Sequence, residues 1–118
     1  MHNTAPFYRL NVGDDEYRLK LTTAAKIDAE KKLGFSLMGA IDKIDYANTF
    51  AVILWAAMQK YHSNTTIQRV YGIIDRLEDE GCTMDKKADI VIEIMKVSGF
   101  FTAEQIAEME ETHEETQE

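Results

Sequence analysis

The residues equipped for chemistry in this chain are few and scattered. Three histidines occur: His2 near the start, His113 in an acidic end, and His62 at the end of a helical stretch. A histidine acts as general base or metal ligand only when a second polar group is held within hydrogen-bond reach. His62 sits where a helix dipole favours a cation, which explains its position without catalysis. The single cysteine, Cys82, lies between Gly81 and Thr83, with no second cysteine at metal-ligand spacing. Nothing beside it marks it as a nucleophile. Asp89 and Glu93 stand at i, i+4, but a metal site there would want a histidine or a third acid, and a solvated helix face accounts for both. The six glycines, at 13, 34, 39, 72, 81 and 99, fall mostly at element ends and build no phosphate-cradling loop. Asp75 to Glu80 lacks the spacing of a calcium loop. The expectation is a protein that is not an enzyme, with no catalytic residue, no cofactor and no metal.

The 118 residues, with 45% apolar and 29% charged side chains, predict one soluble globular domain. A chain of this size buries enough surface for one core without disulfide or metal staples. Its longest apolar run, Phe50 to Met58, is far shorter than the roughly 18–20 residues a bilayer helix needs. The opening MHNTAPFYRLNVGDDEY has neither the basic start nor the apolar centre of a signal peptide, and a lone cysteine suits a reducing compartment. A cytoplasmic location is expected.

The net charge of −8 (13 Lys and Arg against 21 Asp and Glu) is unevenly placed. Seven glutamates lie from Glu104 onward with no Lys or Arg among them, so the rest carries 13 − 14 = −1. A near-neutral body with no basic stripe argues against nucleic acid and against an acidic membrane surface as partners. Residues 110–118 (EETHEETQE) have no apolar side chain to repay ordering and are expected to form a disordered acidic tail. Such a tail either keeps the chain soluble or docks on a basic partner.

The expected fold is α+β and mainly α: an N-terminal β-hairpin packed on a compact bundle of five to six helices, with residues 1–109 as a single domain, the hairpin over about 7–21 and helices over about 23–109. Tyr8, Leu10, Val12 and then Tyr17, Leu19, Leu21 alternate with polar residues, the period of two paired strands joined at Gly13–Asp15. Such a hairpin is marginal alone and must lie on the helices. Its free edge accepts strands from other chains, although Arg9, Arg18 and Lys20 equally suit an edge that discourages pairing. Thr22 or Thr23 caps a first helix that Gly34 ends, with Lys26 facing Glu30. Ser36 opens a short second helix bearing Leu37, Ile41 and Ile44. Asp45 is expected to cap a third, apolar on nearly all sides from Phe50 to Met58 and therefore central. Thr65 with Gln68 makes a capping box for a fourth, whose apolar face reads Ile67, Val70, Tyr71, Ile74, Leu77. Asp85 starts a fifth on Ala88, Val91, Ile92 and Met95, apolar on more than one face and so a candidate for self-association. Thr102 with Gln105, stapled by Phe101 and Ile106, opens the last.

Three segments together resemble a known family: LKLTTAAKIDAEKKLGFSLMGAI (19–41), AAMQKYHSNTTIQRVYGIIDRLEDEG (56–81) and IVIEIMKVSGFF (90–101). They are similar to the tail assembly chaperones of long-tailed, siphovirus-type phages and prophages of Gram-positive bacteria, over roughly residues 8–101. The distinctive pieces are LTT…EKKLG, the QKYH turn before an amphipathic helix, and the SGFF ending. The resemblance implies a chaperone that binds the tape measure protein and helps recruit major tail-tube protein subunits, works in the host cytoplasm and is absent from the mature virion. It also implies, in many relatives, a longer frameshifted product altered near residues 104–118. Tyr61, Phe100, Phe101, Ile106 and Met109 are the expected partner-binding residues, chosen as adaptable apolar groups rather than from a family motif. The competing expectation is a small acidic adaptor or inhibitor that uses the tail to bind one basic partner.

Overall fold

The computed structural model describes residues 6–117, with side chains through residue 111. Two antiparallel strands open it, β1 (Tyr8–Val12) and β2 (Asp15–Leu19), in the register Tyr8 opposite Leu19, Leu10 opposite Tyr17 and Val12 opposite Asp15. The two-residue loop places Gly13 first with φ +60°, the glycine-first turn whose twist matches a hairpin. The alternation puts Leu10, Val12 and Leu19 into the core and leaves Arg9, Asn11, Glu16 and Arg18 in water.

Six helices follow: α1 (Thr23–Leu33), α2 (Leu37–Ala40), which runs on into a 3₁₀ turn (Ile41–Lys43), α3 (Ala47–Met58), α4 (Ile67–Asp79), α5 (Met84–Val97) and α6 (Ala103–Gln117). Thr22 caps α1 by accepting from the Ala25 amide at 3.2 Å, and Gly34 ends it at φ +83°. The small residues Ala25 and Ala29 let α1 lie close on α3. In α3, nine of twelve residues are buried, because α1, α4, α5 and β2 all pack on it. Trp55, at the rim of that helix, donates its indole N–H to the Thr65 carbonyl at 3.1 Å and carries the Lys32 ammonium over its ring at 4.8 Å. The expected capping box of α6 forms reciprocally, Thr102 N–H to Gln105 Oε1 at 2.9 Å and Gln105 N–H to Thr102 Oγ1 at 3.1 Å. The disordered tail expected over 110–118 falls mostly outside the described side chains.

Several local details differ from expectation, each for a physical reason. Helix α3 starts after Tyr46, which makes no side-chain cap; Asp45 lies one residue too early. Thr66, not Thr65, caps α4 by accepting from the Arg69 amide at 3.2 Å, because the Thr65 hydroxyl is already given to the His62 carbonyl at 2.6 Å. Thr83 rather than Asp85 caps α5, leaving Asp85 in the first turn where its charge favours the dipole. The buried stripe of α4 is Val70, Ile73 and Leu77, while Tyr71 turns outward. Lys26 does not pair with Glu30: the carboxylate accepts from the Leu37 amide at 2.8 Å, and the ammonium lies 4.7 Å over the Phe100 ring. The apolar faces of α5 are occupied by α3, β1 and the 3₁₀ turn, with Ile90, Val91, Ile94 and Met95 all buried.

The hairpin is fastened to this bundle through its main chain. Beyond β2, Lys20 N–H donates to the Ala57 carbonyl at 2.9 Å and Leu21 N–H to Ser98 Oγ at 2.9 Å. The buried Ser98 hydroxyl in turn donates to the Ile94 carbonyl at 2.6 Å. At the turn, Glu80 accepts from Gly13 N–H at 3.1 Å, and Arg76 spans Asp15 and the Val12 carbonyl, both at 2.9 Å. Replacing Ser98 by alanine leaves the buried Leu21 N–H without an acceptor and is expected to destabilise the fold by about 1–3 kcal/mol, read as a lower urea midpoint at unchanged m-value.

Candidate functional site

Cys82 and Asp89 share one hollow that His62 does not line, while His2 and the side chain of His113 lie outside what the structure describes. His62 follows the end of α3 and accepts the Arg18 amide through Nε2 at 2.9 Å, so the ring is neutral with its proton on Nδ1. It also meets Tyr17 edge-on, with ring centroids 5.4 Å apart. Burial, with Arg18 and Arg69 nearby, pushes the imidazole pKa below its ordinary value. The ring is thus an acceptor that ties β2 to α3, rather than the helix-end cation expected from sequence.

Cys82 lies in the loop between α4 and α5, where burial pushes its thiol pKa up against the opposing pull of Lys87 and Lys86. A raised pKa keeps the sulfur protonated and weakly nucleophilic. It lines a shallow hollow of about 310 Å³ together with Tyr8, Asn11, Leu77, Lys86 and Ile90. The Tyr8 hydroxyl is held above the usual phenol range by burial first, then by Glu93 and Asp89. Glu93 pairs with Lys96 at 2.8 Å. Among the described residues no group of three or more His, Cys, Asp or Glu could hold a metal ion, and every buried side-chain N or O has a hydrogen-bond partner.

The five expected partner-binding residues occupy different settings. Tyr61 is half-buried with its ring edge-on to Phe7 at 5.3 Å. Phe100 and Phe101 are both half-buried and pack on the core. Ile106 is buried, at 7% exposure, and Met109 is half-buried on the same helix. Lys96 holds that helix to α5 by reaching Glu110 at 3.8 Å as well as Glu93.

Large apolar side chains left in water lie elsewhere. Tyr46 is 60% exposed and Met38 is 51% exposed, both within the short stretch from α2 to the start of α3. Lys43, on the 3₁₀ turn between them, sets its ammonium 5.5 Å from the Phe35 ring and 5.9 Å from the Tyr46 ring. Phe35, Lys43 and Tyr46 therefore make a corner with one cation between two aromatic rings, and the deformable thioether of Met38 is exposed on the adjoining α2. The sequence carried a signal for part of this: Leu37, Ile41 and Ile44 define the inward face, which leaves Met38 off it. Tyr46 carried none, since an aromatic at a helix start is as readily core as surface. Ile27, Tyr71 and Met84 are also about half exposed, each on a different helix.

No protein-family model, curated protein or solved structure matches this chain. No helix among the described residues is long and apolar enough to cross a membrane.

The His62 bond makes stability depend on pH with a definite sign. A folded-state pKa below the unfolded one means that the unfolded chain binds more protons, so the contribution is complete above about pH 6.5 and is lost as pH falls through the lower folded value. Urea midpoints of the wild type are expected to drop across this acidic window by more than those of His62→Gln. Parallel curves for the two proteins would exclude the assignment.

Proposed function

We propose that this chain is a non-enzymatic tail assembly chaperone that binds the tape measure protein of a long-tailed phage or prophage and presents it to major tail-tube protein subunits. The family resemblance over residues 8–101 supplies the client. The stretch from α2 to the start of α3, with Met38 and Tyr46 exposed and Lys43 set between the Phe35 and Tyr46 rings, is the observation in the structure that supports such a role most directly. A long helical client offers repeated apolar stripes flanked by charge, and one chaperone copy needs to cover only a short piece. Met38 adapts its shape to different side chains at low cost, while Tyr46 supplies rigid area. Lys43 offers a cation to client carboxylates. Contacts of this size are individually weak, which suits a chaperone that tube subunits must later displace. The proposed site of action is the host cytoplasm, with the chaperone left out of the finished virion.

The test is co-expression with the longest coiled-coil-like protein encoded downstream in the same operon, scoring soluble client and the stoichiometry of the complex by light scattering. Wild-type protein is expected to keep the client soluble with many copies bound. The Met38→Ser, Tyr46→Ser double variant is expected to lose most of that solubilisation, whereas Tyr71→Ser, equally exposed on α4, is expected to retain it. Insoluble client beside free wild-type protein would end the proposal. A one-to-one complex with a folded basic protein, lost on deletion of residues 110–118, would establish the acidic adaptor instead.

A further inference from the structure

The two edges of the hairpin differ in a way that points to a partner. Along β2, the amides of Arg18 and Lys20 face away from β1 and are taken by His62 and by the Ala57 carbonyl, both at 2.9 Å. Antiparallel pairs alternate between bonded and non-bonded, so Arg18 and its partner Arg9 form a non-bonded pair, as do Glu16 and Asn11. The N–H and C=O groups of Arg9 and Asn11 therefore point out from the other side of the sheet. No hydrogen bond among the described residues uses them. The hollow of about 310 Å³ opens beside this edge, lined by Tyr8 and Asn11 of β1 and by Ile90 of α5.

The geometry points to a second copy of this chain, pairing β1 antiparallel with β1 about a two-fold axis at Leu10. The residue pattern of the strand is self-complementary in that register. Arg9 falls opposite the other copy's Asn11, so the outward amides and carbonyls of the two residues meet as bonded pairs, four hydrogen bonds in all. The side chains of Leu10 and Val12 are already covered within their own copy, so the pairing is carried by the main chain. A shift of the axis by one residue in either direction places Arg9 opposite Arg9 or Asn11 opposite Asn11, and in the first case like charges oppose pairing. With the axis at Leu10 the result is a four-stranded sheet continuous through both copies. This inference does not rest on the chaperone reading.

Sedimentation of the full chain over a wide concentration range tests it, together with amide hydrogen exchange. The wild type is expected to dimerise with rising concentration, and the amides of Arg9 and Asn11 are expected to become protected as it does. Asn11→Arg places a guanidinium opposite the other copy's Arg9 twice in each dimer and is expected to weaken association about tenfold. The hairpin keeps its stability in that variant, since Glu16 lies directly across from position 11. Adding Arg9→Glu restores opposite charges and is expected to recover dimerisation. A chain that stays monomeric at every concentration, or a dimer insensitive to both variants, would overturn the inference. So would protection of the Arg9 and Asn11 amides by a client protein and not by concentration, which would assign the edge to a foreign strand.

Discussion

A two-stranded hairpin has no independent stability in water, and the rest of this fold is organised around supplying what it lacks. Three amides at and just after β2 are handed in succession to His62, the Ala57 carbonyl and Ser98 Oγ. The three acceptors come from the loop after α3, the last turn of α3 and the end of α5, regions 44 and 77 residues away in the side-chain cases. The hairpin thereby fixes where α3 and α5 end relative to one another. Arg76 and Glu80 repeat the device at the turn from α4. A Cβ on Gly13 would lie 2.9 Å from the Arg76 guanidinium, the far end of a side chain that can shift, so it is the positive φ that calls for glycine.

With the hairpin fastened, α3 consumes nearly all its apolar surface in four contacts, and α5 consumes much of its own against α3, β1 and the 3₁₀ turn. The apolar surface that remains is at junctions. Helix α2 is four residues long, so it can bury Leu37 and Ala40 but has no second turn with which to cover Met38. The bend that follows is tight enough for Lys43 to reach both Phe35 and Tyr46. Short elements joined at sharp angles thus create the exposed corner that supports the proposed client contact. The β2 side of the hairpin meets α3, while β1 packs on α4 and α5.

What could be read in the sequence follows from which forces are local. The strand alternation from Tyr8 to Leu21, the glycine at the end of α1 and the Thr102–Gln105 capping box depend on residues a few positions apart, and each formed. The cap of α4 was legible only to within one residue, since two threonines compete and the loser is decided by the His62 carbonyl. Tyr71 and Ile73 are both apolar, and the choice between them is set by how α4 rolls against α3. His62 and Ser98 were illegible as clamps: a helix-end histidine and a serine beside Gly99 reveal nothing about amides 44 and 77 residues away. Surface sites were harder still, because exposure of Met38 or burial of Ile106 is fixed by neighbours distant in sequence.

Charge follows the same division between body and end. The cations of the body are largely engaged: Arg9 with Glu16, Arg76 with Asp15, Lys87 with Glu78, and Lys26, Lys32 and Lys43 over aromatic rings. Among the described residues Lys96 reaches α6, pairing with Glu110 as well as with Glu93. Salt screens the exposed pairs Arg9–Glu16 and Arg76–Asp15, whereas the Lys87 and Lys96 side chains are mostly buried and are screened less.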